Sequence, residues 1–213
     1  MATGDEAQPL EGERKTITVL FADIKGSMEL LEELDPEEAR SIIDPSLRLM
    51  VDSVRRYEGH VAQTLGDGIF ALFGAPLAHE DHPQRALYAA LGMQEEMRKY
   101  ARALRLEKGV NFEIRVGVHT GEVVAHSIAK DELRADYAPI GHATGLAARL
   151  QALALPGTIV VSEATRRLVE GRFQFRALGP TKIKGASHPI ELYEVTGVGT
   201  VRTRLELSER RGL

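Results

Sequence analysis

Short apolar runs and amphipathic stretches alternate along most of the chain. The run at 16–22 predicts a buried strand, and the alternation of apolar and polar residues at 112–119 predicts a half-buried strand. Apolar residues three and four positions apart predict two long helices, which begin at Pro36 and Pro83. The remaining predicted elements are helices at 142–154 and 163–169 and strands at 158–161, 172–178 and 190–195.

A tight hairpin is predicted in the first third of the chain. Two apolar runs flank Gly66 and Asp67, and such a pair suits the central positions of a two-residue turn. Because a hairpin is antiparallel, the predicted fold class is α+β, a sandwich with a mostly antiparallel sheet and helices on one face. Residues 126–136 are polar, and we expect them to form a loop or arm.

The two ends of the chain lack this periodicity. Residues 1–14 are polar and acidic, which predicts a disordered segment. The regular pattern covers 15–197 and is sized for one domain with a real core. Residues 198–213 are rich in arginine and glutamate and are predicted to be a linker or tail.

Composition excludes several classes of protein. The formal net charge is -4 and no basic stripe is interleaved with aromatic residues, so nucleic acid is not an expected partner. No apolar stretch approaches the roughly 20 residues needed to span a membrane, and no signal-peptide pattern is present. Cysteine is absent, which excludes disulfides and thiolate metal sites and favours a cytoplasmic location.

Two carboxylates are expected at one edge of the sheet. Asp23 ends the first strand and Asp67 lies at the tip of the hairpin. If these strands are neighbours, the two carboxylates repel each other unless a cation lies between them, and Mg²⁺ prefers oxygen ligands. Gly26 and Ser27 follow as a small turn into a helix, where backbone amides suit a phosphate. The pattern predicts a metal ion with a triphosphate.

The histidines are assigned other roles. The segment 79–82 (His-Glu-Asp-His) resembles a metal cluster, but the sequence favours a helix start at Pro83 instead. His119 and His142 are predicted to be structural or exposed.

Several short motifs occur together in one order along the chain. They are Phe-Ala-Asp-Ile at 21–24, Gly-Asp-Gly at 66–68, Arg-Val-Gly-Val-His-Thr-Gly at 115–121, Ile-Gly at 140–141 with Ala-Ala-Arg at 147–149, and Ile-Lys-Gly at 183–185. Together they resemble the catalytic domain of class III nucleotide cyclases, the adenylate and guanylate cyclase family, over 15–197. The chain is most similar to bacterial members in which this domain precedes an ATPase module and helical repeats.

The resemblance implies a ferredoxin-like or palm-type fold and a head-to-tail homodimer with shared sites. One protomer would hold two Mg²⁺ or Mn²⁺ ions with Asp23, Asp67 and the Ile24 carbonyl. Its partner would place Arg149 at the α-phosphate and Lys184 at the terminal phosphates. The implied reaction is attack of the ribose 3′-oxygen of ATP on the α-phosphorus, giving cyclic AMP and pyrophosphate.

Three positions depart from the family pattern. Gln63 and Ala138 stand where adenylate-specific members carry a lysine and an aspartate or threonine that bind the base. Gly145 replaces an asparagine four residues before Arg149. We therefore expect slow turnover and weak selection of ATP over GTP. The alternative is a catalytically degenerate regulatory domain that binds nucleotide or only dimerises. A diguanylate cyclase is disfavoured because its Gly-Gly-(Asp/Glu)-Glu-Phe signature is missing.

Overall fold

The computed structural model describes residues 13–26, 34–129 and 135–199, without the side chains of Glu13, 125–129 and 135–140. The strands are β1 Glu13–Lys25, β2 His60–Leu65, β3 Gly68–Phe73, β4 Glu113–Ala129, β5 Ala135–Ile140, β6 Ile159–Ser162, β7 Phe173–Thr181 and β8 Ile190–Val198. The helices are α1 Pro36–Arg56, α2 His82–Lys108, α3 His142–Leu153 and α4 Glu163–Leu168. No helix in these ranges is long and apolar enough to cross a membrane.

The sheet is mixed but mostly antiparallel. Its strands run in the order β2-β3-β1-β4-β6-β8-β7, and β5 pairs back onto the far half of β4. Among these pairings only β4 with β6 is parallel. The predicted α+β class is therefore confirmed, with β1 and β4 as the long central strands.

Helices cover both faces of the sheet, which corrects the expectation of helices on one face. Alternate residues of a strand point to opposite faces. On β1, Leu20 and Ala22 pack in the core beneath α1 and α2. Ile17 and Val19 instead pack with Ala143 of α3 on the other face. The expected arrangement thus holds for α1 and α2 but not for α3.

A glycine in β4 permits the close approach of α3. A Cβ at Gly117 would lie 2.1 Å from the Gln151 nitrogen and 2.5 Å from the Ala147 oxygen, distances that real atoms do not reach. Only glycine therefore lets this helix rest on the strand. Hydrophobic periodicity identifies a buried helix face but does not say which face of the sheet it covers, so the sequence analysis missed this layer.

Helix α1 begins at Pro36 as predicted, and α2 begins at His82, one residue before the predicted start at Pro83. Asp35 caps α1, and its side chain accepts a hydrogen bond from the Glu37 nitrogen at 3.3 Å. The helix continues through Pro45. Helix α2 has Pro83 in its first turn and ends at Gly109, whose φ of 70° is left-handed.

Several boundaries differ from the predicted ones. Glu13 and Arg14 belong to β1, where they pair with β4, because the arm of β4 extends far enough to meet them. Within the predicted loop or arm at 126–136, residues up to Ala129 belong to β4 and those from Ala135 belong to β5, while 130–134 lie outside the described residues. Of the predicted disordered segment 1–14, residues 1–12 lie outside the described residues, and so do residues 200–213 of the predicted tail 198–213.

Candidate active site

The two predicted metal-binding residues come from adjacent strands. Asp23 stands opposite Gly68 in the β1–β3 ladder, and the Ile24 nitrogen donates a hydrogen bond to the Asp67 oxygen at 3.1 Å. A Cβ at Gly68 would lie 2.3 Å from the Ala22 oxygen, so the hairpin approaches β1 this closely only because this residue is glycine. The expected juxtaposition of the two carboxyl-bearing residues is therefore present.

A cation that the sequence analysis did not single out already faces one of these carboxylates. Arg115 lies opposite Asp23 in the β1–β4 ladder and binds it through two hydrogen bonds, Nε to Oδ1 at 3.1 Å and Nη2 to Oδ2 at 2.7 Å. Both side chains are about three-quarters or more buried, at 20% and 25% exposure. This guanidinium offsets carboxylate repulsion, so repulsion by itself does not demand a metal ion. Their contact depends on the pairing register of β1 with β4, which is a feature of the tertiary structure.

The donor set suits a nucleotide-bound magnesium ion. No group of three or more histidine, aspartate or glutamate side chains among the described residues could hold a metal by itself. Mg²⁺ at phosphate-transfer sites, however, takes one or two carboxylates and completes its shell with substrate oxygens and water. Asp23, Asp67 and the Ile24 carbonyl fit that requirement.

The predicted phosphate turn directly follows β1. Gly26 has a φ of 87°, in the left-handed region that glycine adopts without strain. It therefore turns the chain away beside Asp23. Its predicted partner Ser27 lies outside the described residues.

A second group of predicted residues gathers where α3 meets the loop between β7 and β8. The Arg149 guanidinium packs against Gly185, where an added Cβ would lie 3.2 Å from Nη1, and against Gly145, where the distance would be 3.8 Å. His142 binds the Gly185 oxygen through Nε2 at 3.0 Å. Lys184 is exposed next to this contact. Arg149 and Lys184 have no hydrogen-bonding or ionic partner in the described part of the chain, so both are available to an anion.

The loops that carry Asp67 and Lys184 belong to strands on opposite sides of the sheet's centre. Asp67 follows β2 and precedes β3, whereas Lys184 lies between β7 and β8. Four strand spacings separate β3 from β8 along the sheet. At about 4.8 Å each, they amount to roughly 19 Å. Asp67 and Lys184 are therefore carried by loops next to distant strands, whereas Arg149 stands on α3, which packs over Gly117 of β4.

The predicted base-reading positions lie on two elements that approach each other. Gln63 is exposed on the edge strand β2, beside a bulge, and pairs with Phe70. Ala138 pairs through its backbone with His126 in the β4–β5 ladder. Strands β2 and β5 of the same chain contact each other. This arrangement can present both positions to one ligand.

The two other histidine predictions are resolved by the packing. The segment 79–82 leads directly into α2, as predicted, with Asp81 at the N-cap and ion-paired to Arg85. His119 is buried, with 9% exposure, and ends a line of buried hydroxyl groups that crosses the sheet. The line runs from His82 Nδ1 to Thr18 Oγ1 (2.8 Å), Thr120 Oγ1 (2.8 Å), Thr165 Oγ1 (3.2 Å), Ser162 Oγ (3.3 Å) and His119 Nδ1 (2.7 Å).

Both imidazoles are suited to the neutral form. If each neutral ring accepts a hydrogen bond at Nδ1, every hydroxyl of the line can donate to an acceptor. A protonated ring carries an N–H at both nitrogens, so it could not accept a hydrogen bond from the neighbouring hydroxyl. Burial, with a smaller contribution from His142, lowers the pKa of His119 to about 4. Burial also lowers the pKa of His82.

We expect His119 to make the fold less stable in mild acid. The unfolded chain binds a proton near pH 6.5 and the folded chain only near pH 4, so stability is full above 6.5 and is lost as the pH falls towards 4. Between pH 7.5 and 5 the loss should be about 2 kcal/mol in the free energy of unfolding. Urea unfolding at both pH values should show this slope reduced in His119→Gln and retained in His188→Gln, an exposed control. An equal slope in all three proteins would contradict the assignment.

Comparison with known proteins identifies the family. The model of the adenylate and guanylate cyclase catalytic domain matches residues 11–197. The chain belongs to this family. Adenylate cyclase 1 of Rhizobium meliloti (strain 1021) is 32% identical to the cyclase domain over 187 residues, which are 87% of this chain and 28% of that protein. The chain thus spans under a third of that relative's length.

Solved structures confirm the palm-type cyclase fold. The adenylyl cyclase CyaB from P. aeruginosa superimposes with a TM-score of 0.83 at 29% identity, covering 91% of this chain and 100% of that one. The guanylyl cyclase Cya2 superimposes with a TM-score of 0.80 at 30% identity, covering 89% and 95%. Class III cyclases are metal-dependent. Because the neighbours include adenylyl and guanylyl cyclases, similarity does not decide which base this domain selects.

Proposed function

We propose that this cyclase domain converts ATP slowly to cyclic AMP and pyrophosphate at the interface of a head-to-tail homodimer, with GTP as a second substrate. One observation carries the proposal. Asp23 and Asp67 stand together beside the hairpin, Arg149 and Lys184 stand together at the loop between β7 and β8, and the strands β3 and β8 next to these two loops are roughly 19 Å apart along the sheet. Two chains packed head to tail would bring the carboxylate group of each chain against the basic group of the other chain.

Each residue then has a defined task. Asp23, Asp67 and the Ile24 carbonyl would hold two Mg²⁺ or Mn²⁺ ions. When bound there, such ions would supply positive charge that favours the 3′-alkoxide and neutralises the leaving phosphates. Arg149 of the partner chain would bind the α-phosphate oxygens, where charge develops, and Lys184 the terminal phosphates.

The reaction needs no covalent intermediate with the protein. The ribose 3′-oxygen loses its proton to solvent and forms a bond to the α-phosphorus. The bond from that phosphorus to the bridging oxygen breaks, and pyrophosphate leaves. Gly26 and Ser27 would offer backbone amides to the phosphates near the end of β1.

Slow turnover follows from Gly145. This position lies one helical turn before Arg149, and the arginine packs directly over it. An asparagine there would supply a donor for the ribose or phosphate. Losing one preorganised donor of this kind costs about 10²–10³ in rate.

We expect weak discrimination between bases. Gln63 can donate and accept hydrogen bonds, and alanine at position 138 offers no polar side-chain group, so neither purine edge is strongly preferred. Rates for ATP and GTP, measured side by side with Mn²⁺ on the purified chain, should agree within about tenfold, or 1–2 kcal/mol. The same assay tests the proposed activity itself. A ratio above about a thousandfold would mean that other groups select the base.

The alternative is a domain that binds nucleotide or dimerises without turnover. The observation that favours it is the ion pair between Arg115 and Asp23, which satisfies the carboxylate without a metal ion. Saturable nucleotide binding with no cyclic product, even in Mn²⁺, would support this alternative. Whether ATPase and repeat modules follow the domain in a longer protein stays a prediction.

A further inference from the structure

A groove of about 210 Å³ lies between the C-terminal half of α2 and the start of β4, on the face of the sheet opposite α3. Its floor is apolar and buried, formed by Met97, Ala101, Phe112 and Ile114. It lies on the other face of the sheet from Asp23 and Arg115, because Ile114 and Arg115 are successive strand residues. The groove is therefore separate from the candidate active site.

Three arginines line this groove. Arg98, Arg102 and Arg105 occupy three successive turns of α2, so that their side chains share one helix face. All three are exposed, and in the described part of the chain none has a hydrogen-bonding or ionic partner. Glu95 and Glu96, which lie nearby in sequence, are both paired with Lys99. The arginines are therefore not neutralised by their own helix.

Helix-end electrostatics account for only one of them. A cation in the last turn of a helix interacts favourably with the macrodipole, and Arg105 lies near that end. The effect fades within one turn, so it does not explain Arg98 and Arg102. Like charges four residues apart repel and destabilise a helix. A bound anion would remove that repulsion.

Buried hydrogen bonds connect the segments that form the walls of the groove. Gln94, with 2% exposure, donates from Nε2 to the Ile114 oxygen at 3.1 Å and to the Thr158 oxygen at 3.2 Å. The Gly157 nitrogen donates to the same Ile114 oxygen at 2.9 Å. These bonds hold α2, β4 and the loop after α3 in fixed relation, so that a ligand meets a preformed groove.

We propose that this groove binds a small anion of the phosphate class that carries about two negative charges. Among the lining residues, Glu113 is the only carboxylate, so three guanidinium groups and one carboxylate leave a net charge of +2. Guanidinium groups bind phosphate oxygens in bidentate geometry. The exposed amide of Asn111 at the rim adds a donor. This proposal does not rest on the proposed cyclase reaction.

Titration of the full chain with inorganic pyrophosphate tests it. We would follow backbone amide chemical shifts in EDTA, without metal ions, at about 0.15 M salt, where long-range charge effects are screened. Saturable shifts of Asn111, Glu113 and Gly157 are expected below about 10 mM. Shifts of Gly185 would report separately on any binding at the candidate active site. No shift at the groove amides would overturn the proposal.

Matched variants distinguish binding at the groove from unspecific attraction by the net charge of the protein. Arg98→Gln/Arg102→Gln should weaken the groove affinity at least about tenfold. Arg55→Gln/Arg56→Gln removes two exposed arginines near the end of α1 and should leave it unchanged. Equal weakening by both pairs would mean that net charge alone attracts the anion. Citrate serves as a comparison ligand. Saturable binding of citrate but not of pyrophosphate would refute the proposal that the ligand belongs to the phosphate class.

Discussion

Asp23→Ala and Asp67→Ala are each expected to lower cyclase turnover at least about a thousandfold, since bound metal ions supply several kcal/mol of transition-state stabilisation. Both substitutions remove a proposed oxygen ligand at the edge where β1 meets the hairpin. The rate of cyclic AMP formation in Mn²⁺, at saturating ATP, is the measurement. Asp52→Ala, an exposed carboxylate on α1, should keep the parent activity.

The ion pair with Arg115 complicates one of these variants. Asp23→Ala leaves a largely buried guanidinium without its partner, which costs roughly 1–3 kcal/mol of stability. Asp23→Asn keeps an oxygen that can accept from Arg115 and removes the charge that a metal ion needs. It should fold with nearly the parent melting temperature and still be inactive. Parent-like turnover in folded Asp23→Asn or Asp67→Ala would refute the metal assignment.

Mixing two inactive variants should restore activity. If each site takes carboxylates from one protomer and Arg149 from the other, Asp23→Ala and Arg149→Ala chains damage opposite halves. Random pairing makes half of the dimers mixed, and each mixed dimer holds one intact site of two. The mixture should therefore reach about a quarter of the parent activity. Specific activity over a concentration series should also fall once dimers dissociate.

A matched mixture controls for unspecific rescue. Asp23→Ala and Asp67→Ala damage the same half, so neither site of their mixed dimer is intact, and this pair should stay inactive. Rescue in both mixtures would point to stabilisation of a damaged fold rather than to shared sites. A fully active dilute monomer, or no rescue in the first mixture, would refute the proposed head-to-tail site.

Local chemistry explains which elements could be predicted. Asp35 followed by proline starts α1, and the glycine-aspartate turn makes the hairpin, because these residues act on their own backbone within a few positions. The faces of the helices were less predictable. Leu146 and Leu150 are buried in α3 as expected, but Leu153 at the helix end is half exposed, with 50% exposure, against the prediction that it faces inward. Leu153 instead lines an open groove with Leu155 and Leu178.

Long-range register explains what was missed at the candidate site. Arg115 belongs to a recognisable motif, yet its hydrogen bond to Asp23 joins residues 92 positions apart. The line of hydroxyls from His82 to His119 likewise joins four segments that are distant in the chain. Such contacts depend on which strands pair and in which register. The two-residue alternation of apolar and polar positions predicts a strand but does not identify the strand with which it pairs.

By itself the sequence determined the α+β class, the cyclase family, the starts of both long helices and the residues at which carboxylates and cations stand. Those features depend on local backbone chemistry, hydrophobic period and motif order. Only the tertiary structure decided that α3 covers the second face, that Arg115 neutralises Asp23, and that three arginines of α2, unpaired within the described residues, border an open groove. Each of these depends on close approach between distant segments, and glycines at 68 and 117 permit two such approaches because a single added carbon would collide with backbone atoms.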